Sequence, residues 1–526
     1  MKIRTSLLLF LLFTGNSFLP IFAQNPAIDV KKYTFSIDLN DDNDTIYGKA
    51  DIDYEFLKIS DAVRFDLVET DASGKGMKVD SILSGGKKLQ FQQKAQTVLI
   101  TPAPDSSEVI IYYHGIPKDG LIISQNKYGE RTFFGDNWPN RAHNWLPVTD
   151  HPSDKAYVDF IVTAPSHYQV IANGSLQEMT NFGDDKTLYH YSSSVPLPTK
   201  VMVIGAAEFA VQYLDEVKNI PVSSWVYPKN REAGFHDYAV ARRILEYFIE
   251  NIAPYPYSKL ANVQSTTRYG GMENASNIFY SERSVTGKGD AEFLLAHEIA
   301  HQWFGDSASE TDWSQLWLSE GFATYLTDLY AEATYGKEKL DEKLREERQK
   351  VISFSKTTHT PVIDTSRTDY MKLLNANSYQ KGAWFLHMLR RKVGDENFWQ
   401  AIRKYYEEYE LSNATTEDLQ KVFENVSGQK LQNFFDQWLR QYGQPVLKTN
   451  WKYTNRNLEF EVLQQQQQND FEFPLEVKFE FADGSSVTRT FQVRQKKQKF
   501  RFSIDQKPVK VKLDPEVNLL FEKALS

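Results

Sequence analysis

Residues 289–306 read Gly289-Asp-Ala-Glu-Phe-Leu-Leu-Ala-His297-Glu298-Ile-Ala-His301-Gln-Trp-Phe-Gly305-Asp306. The apolar residues recur at helical spacing, Asp290 offers an N-cap and Gly305 a stop, so the stretch predicts a helix of about four turns. On such a helix His297 and His301 stack one turn apart on one face, where both imidazoles can reach a single ion. Glu298 is rotated about 100° from His297. That sets it beside the ion rather than beneath it, in reach of a proton on bound water.

A second helical stretch opens with Trp317-Leu-Ser-Glu320-Gly-Phe-Ala-Thr-Tyr325. A glutamate on an amphipathic helix ordinarily faces solvent. Trp317, Leu318, Phe322 and Tyr325 surround this one, and burying a carboxylate without a partner is costly. Ligation to the same ion removes the cost. Two histidines and a glutamate with an open fourth position make the hydrolytic zinc set, so the expectation is one Zn2+ held by His297, His301 and Glu320.

Composition narrows the chemistry to the same place. The chain has 526 residues and no cysteine, which excludes disulfides, thiolate metal sites, iron–sulfur clusters and a cysteine nucleophile. Any metal must be held by His, Asp or Glu. The 60 Lys+Arg against 69 Asp+Glu give a net charge of −9, contrary to nucleic acid or an anionic membrane as the main partner. Residues 1–23 read as a signal peptide. Lys2 and Arg4 precede the apolar run Leu7–Phe13, and Ile21-Phe22-Ala23 offers a cleavage site before Gln24. The expected location is therefore outside the cytoplasm, periplasmic or secreted, with no stable membrane span. Oligomeric state stays open.

Along the chain the patterning divides in three. Residues 24–212 alternate apolar and polar residues, as at Tyr33, Phe35, Ile37 and Leu39, and predict a large, mainly antiparallel β-sheet domain. Residues 213–445 are α-rich, with a strand-like insert around 261–280. Strand patterns return over 446–526 and predict a small β-sandwich. The fold class expected is multidomain α+β. The Gln464–Gln468 run reads as a hairpin loop between two strands, and the basic cluster Arg494, Lys496, Lys497 and Lys499 as a solvated turn.

Further motifs lie in order around the zinc set: Tyr269-Gly270-Gly271-Met272-Glu273-Asn274 upstream, and Tyr379-Gln-Lys381-Gly382-Ala downstream. Trp145-Leu-Pro147-Val-Thr-Asp150-His-Pro152 and Phe435-Asp-Gln-Trp438 extend the pattern over most of the chain. Together these resemble the M1 zinc aminopeptidases, of the aminopeptidase N and leukotriene A4 hydrolase type. Gly271 stands where that family more often has alanine.

The resemblance implies a thermolysin-like catalytic domain and hydrolysis of the N-terminal residue from peptides. It implies Glu298 as general base toward zinc-bound water, Tyr379 as donor to the oxyanion and Glu273 as anchor of the substrate amine. Gly270, Gly271, Met272 and Asn274 would complete the substrate-binding segment. An aminopeptidase must hold a free α-ammonium, which a fixed carboxylate does with charge-assisted hydrogen bonds. Glycines allow the substrate backbone to approach a strand edge.

The resemblance also implies a residue within 136–140 that assists Glu273; which one stays open, with Asp136 one candidate. Tyr379 is expected to open a helix behind Asn377 and Ser378. The sequence ends after the small β domain, where many members of the family continue into a large helical domain, so a more open site is expected. An epoxide-hydrolysing relative shares every motif named, and a peptide-binding protein on a degenerate scaffold is the rival of another class.

Overall fold

The structure, a computed structural model, describes residues 27–104 and 106–524. The segment read as a signal peptide lies outside them. No helix among the described residues is long and apolar enough to cross a membrane.

The N-terminal part is built on a nine-stranded sheet. At its centre the strand Ile28–Asp38 pairs antiparallel with Ile46–Phe56 and parallel with Lys155–Pro165. Its alternation buries Tyr33, Phe35 and Ile37 on one face while intervening residues stay more exposed, as period-2 patterning demands. A four-stranded sheet carries Arg131–Gly135 and Leu121–Gln125 toward the middle of the molecule.

The central part joins a five-stranded sheet to helices. The sheet contains Val222–Val226, Leu260–Ser265 and Asn277–Ser281, and ends on the short edge strand Gly271–Met272. The helices include α1 (Arg231–Tyr238), α2 (Ala241–Asn251), α3 (Glu292–His301), α4 (Trp317–Tyr335), α5 (Lys337–Ser355) and α6 (Gly382–Val393), with α7 (Asp395–Tyr409), α8 (Thr416–Ser427) and α9 (Gln432–Phe435) after them. Residues 231–251 form two consecutive helices, α1 and α2, separated by a two-residue break.

The motif helix α3 is ten residues long and shorter than its sequence suggests. Ala291 occupies the N-cap position without a side-chain bond, because Asp290 instead accepts the Thr286 hydroxyl. Gly305 lies four residues past the helix end. It turns the chain back with φ +127°, where a Cβ would come within 2.3 Å of Ser319 Oγ.

The C-terminal part is two facing sheets. One holds Val446–Thr454, Asn457–Gln464 and Lys497–Ser503, the other Phe473–Glu480, Ser486–Val493 and Lys510–Leu513. Phe460 of the first meets Phe479 and Phe491 of the second at 5.9 and 5.2 Å between ring centres. The glutamine run is therefore not a hairpin loop, since the strands it joins belong to different sheets. Gln464 and Gln466 are buried: Gln464 donates to Phe471 O, and Gln466 Oε1 accepts Val446 N. Buried amides persist where every polar atom finds a partner, and here they staple the sheet crossing. Lys497 and Lys499 of the basic cluster pair with Glu461 and Glu459 on the adjacent strand.

Contacts between the N-terminal and central parts position the site. Asn173 Nδ2 donates to Ala275 O at 2.7 Å, and Gly174 N to Ser276 Oγ at 3.1 Å. The buried pair Lys200–Glu310 crosses the same boundary. The chain just after Glu273 is thereby held from outside its own sheet.

Candidate active site and metal centre

His297 and His301 project from the last turn and a half of α3, and Glu320 from the first turn of α4. The two Nε2 atoms lie 3.1 Å apart, and Glu320 Oε2 is 3.3 Å from each. Tetrahedral zinc with bonds of about 2.0–2.1 Å needs donor atoms about 3.3–3.4 Å apart, so the three atoms fit one ion without rearrangement. His301 Nδ1 lies 3.2 Å from Phe304 O and 3.0 Å from Ser319 Oγ. Donation from Nδ1 to the Phe304 carbonyl leaves the Nε2 lone pair facing the ion position.

The electrostatics ask for a cation. Glu273, Glu298 and Glu320 are all buried, and ligand atoms of Glu273, Glu298 and His301 lie within 4.8 Å of one another. Three buried carboxylates face two imidazoles, a deficit of positive charge that a dication makes good. Burial pushes Glu298 well above the usual carboxylate range, helped by Glu273 and Glu320. Burial works against charge on His301, but Glu273 and Glu320 outweigh it and favour positive charge at this position, a proton in the absence of an ion. Burial opposes charge on Glu320 too, and there the two histidines win and hold its carboxyl far down. Burial, then Glu320 and Glu273, push the Tyr379 phenol well up, so it remains an O–H donor at neutral pH.

One cavity of about 270 Å3 gathers most of the residues expected from the sequence: Gly270, Gly271, Met272, Glu273, His297, Glu298, His301, Glu320 and Tyr379. The Glu298 side chain packs over Gly271, where a Cβ would lie 2.3 Å from its Oε1. That is the physical reason glycine suits this position here. The Tyr379 ring stacks on His297 at 5.8 Å. It sits in a π-helical turn, Asn377–Lys381, that runs directly into α6, so Tyr379 stands in the opening turn of one continuous helix. Glu273 Oε1 is buried and accepts no hydrogen bond among the described residues.

Two of the expected residues lie outside the cavity wall. Asn274 is fully buried and does not line the cavity; its carbonyl accepts Asn277 N and shapes the turn after Glu273. Asp136 does not line it either. Arg141 binds Asp136 from one side, and the residue of that stretch in the cavity wall is Trp138.

Several positioning groups escaped the sequence. Gln302, buried next to His301, donates to Glu273 O at 2.7 Å and accepts Ser276 N at 2.8 Å, so it clamps the segment bearing Glu273 to the end of α3. Ser319 supports His301, and its place beside Glu320 was the available signal. Lys381 Nζ donates to Gly443 O at 2.8 Å and anchors the turn that carries Tyr379.

A larger cleft of about 820 Å3 shares Tyr269, Gly270 and Leu294 with the cavity and runs on between residues 265–268, 281–286 and Ser124–Gln125.

The profile of the peptidase M1 N-terminal domain matches residues 30–201, and that of the peptidase family M1 domain matches residues 237–438. Human glutamyl aminopeptidase is 29% identical over 337 residues, 60% of this chain and 34% of that protein. A probable aminopeptidase 2 of Sulfurisphaera tokodaii is 25% identical over 511 residues, 93% of this chain and 63% of its own. The chain spans only about a third of the length of the first curated relatives, 34% to 39%.

Among solved structures, Legionella pneumophila aminopeptidase A in complex with aspartic acid superposes with TM-score 0.81 at 16% identity, covering 96% of this chain and 60% of that one. An M1 zinc metallopeptidase mutant from Deinococcus radiodurans, bound to Tyr-Ser-Ala, superposes with TM-score 0.69 at 22% identity, covering 80% and 95%. These structures share the fold, and the two profiles match successive parts of the chain in the order their motifs run: the chain belongs to peptidase family M1.

Proposed function

We propose that this protein is a zinc-dependent aminopeptidase that hydrolyses the N-terminal residue from peptides. The observation that carries the reading is the buried, unpartnered Glu273 Oε1 at the end of the edge strand, in one cavity with the three metal donors. An endopeptidase has no use for a carboxylate that blocks the preceding residue.

His297, His301 and Glu320 would hold the ion. When bound, zinc supplies a Lewis acid that acidifies a water and polarises a carbonyl. Glu273 accepts the substrate α-ammonium with charge-assisted hydrogen bonds and so sets which peptide bond is presented. The outer edge of Gly270–Met272 offers backbone groups for strand-like pairing with the substrate. Glu298 takes the proton of the attacking water and passes it to the leaving nitrogen. Tyr379, kept protonated, donates to the carbonyl oxygen as negative charge develops on it. The remainder of the peptide would leave along the larger cleft. We further propose export, on the strength of residues 1–23.

The test is a panel of aminoacyl chromogenic substrates, assayed with chelator and after zinc restoration. Cleavage should stop with chelator and return with zinc. Glu273→Ala should lower kcat/KM on free-amine substrates by about 100-fold at unchanged zinc content. Peptides with acetylated N-termini should resist cleavage; if they are cut as fast as free ones, the aminopeptidase reading is wrong.

A further inference from the structure

We infer that the site selects peptides whose first residue carries an uncharged, apolar side chain of about the size of leucine, methionine or phenylalanine. The inference rests on the aminopeptidase reading and deepens it.

The cavity has two halves of different chemistry. Its floor is ionic: Glu273, Glu298 and the three metal donors. Its wall is apolar and comes from four separate segments: Trp138 of the N-terminal part, Tyr269 and Met272 at the edge strand, Leu294 of α3, and Leu374. With the ammonium on Glu273 and the scissile carbonyl between Glu298 and Tyr379, the α-carbon lies between floor and wall. The floor is committed to the reaction, so the first side chain goes to the wall.

That wall is braced. Trp138 meets Tyr269 edge-on at 6.4 Å and Trp313 at 5.8 Å, and Trp313 packs on Tyr370 at 5.5 Å. The Tyr269 hydroxyl contacts Met371 Sδ at 3.4 Å. Rotating the indole away would break this chain of rings, so the pocket keeps its depth. Met272, unbranched and polarizable, is the one member that adapts to different side-chain shapes. At about 270 Å3 for the whole cavity there is room for one residue and little more.

Charge is excluded by the same inventory. The cations beside Tyr269, Arg141 and Arg268, do not line the cavity, and Asp119 and Asp136 neutralise them: Arg141 binds both, and Arg268 binds Asp119. An acidic first side chain would therefore meet no free cation. On the wall a lysine or arginine would meet aromatic faces and a thioether but no carboxylate; the carboxylates of the floor are engaged by its own ammonium, by the ion and by the attacking water. Either charge would be desolvated without a partner.

The experiment uses the zinc-loaded, full-length protein and aminoacyl chromogenic substrates of Leu, Met, Phe, Ala, Glu and Lys. kcat/KM for the best of Leu, Met and Phe should exceed Glu and Lys by about 100-fold or more, and Ala by about 10-fold, the latter from unfilled wall. Glu or Lys cleaved within tenfold of the best apolar substrate would overturn the inference. Cleavage of none of the six would instead overturn the aminopeptidase reading beneath it.

Two variants locate the cause. Leu374 is partly exposed and tolerant of polarity. Leu374→Arg should raise the Glu/Leu ratio, and Leu374→Glu the Lys/Leu ratio, each by about tenfold. If both fold and neither ratio moves, this wall does not set the selectivity.

Discussion

Alanine in place of Gly321 tests whether a contact between two glycines sets the catalytic geometry. Gly321 follows Glu320 in α4, and Gly382 opens α6 just after the turn that carries Tyr379. A Cβ on residue 321 would stand 2.9 Å from Gly382 Cα, 3.0 Å from Gly382 C and 3.2 Å from Ser378 O. All three are backbone atoms, so no side chain can swing aside. Reaching an ordinary contact of about 3.5 Å requires α4 and the Tyr379 turn to separate by about 0.6 Å.

Overpacking of this kind costs about 1–3 kcal/mol. Alanine recovers about 1 kcal/mol as the better helix former, so the net loss of stability should be about 0–2 kcal/mol. Catalysis should suffer more, because Glu320 and Tyr379 lie on opposite sides of the forced gap. A misplacement of about 1 Å costs about 100-fold, so kcat/KM should fall by about 10- to 100-fold. The assay is steady-state kinetics at saturating zinc, with bound metal and thermal unfolding measured on the same preparation. A folded, zinc-replete Gly321→Ala protein with kcat/KM within twofold of the parent would refute the reasoning.

The other predictions are briefer. Glu298→Gln should retain zinc while kcat drops by about 1000-fold, read by metal analysis beside turnover; undiminished turnover removes Glu298 as the base. Tyr379→Phe should lower kcat by about 100-fold with little change in KM, since its bond strengthens only as charge develops on the carbonyl; a raised KM at unchanged kcat would contradict that role. His387 bridges Tyr325 OH and Val517 O, and burial, then Arg390, lower its imidazole from the usual 6.5 to about 3. The folded chain thus refuses a proton that the unfolded chain accepts below about pH 6.5. Stability from this group is full above that pH and falls with acidification, by about 2 kcal/mol between pH 7 and pH 5. Denaturant titrations at the two pH values should show the loss in the parent and not in His387→Gln; equal slopes would dismiss the assignment.

Much of the metal centre was legible because it is local. A four-residue interval on a helix brings His297 and His301 to one face whatever the helix packs against. Glu320 could be added because its neighbours Trp317, Leu318, Phe322 and Tyr325 are large and apolar. The three-part α+β architecture was readable for a similar reason, since periods of 2 and 3.6 are written into consecutive residues. Helix ends were less legible. Asp290 looks like a cap, but Thr286 competes for its carboxylate, and local pattern does not show which bond wins. The glutamine run failed on topology: residues 457–464 and 473–480 are both strands, but only the folded chain shows that they lie in different sheets.

The amino-acid sequence by itself determined the donor set, the absence of any thiol alternative and the order of the structural blocks, because these depend on residue type and short-range spacing. Only the tertiary structure decided what surrounds the donors. Gln302 reaches back to Glu273, Gly321 meets Gly382, and Trp138 crosses from the N-terminal part to wall the cavity beside Leu374. These pairs lie 29 to 236 positions apart in the chain, and such juxtapositions follow from packing of the assembled core, which no local pattern encodes.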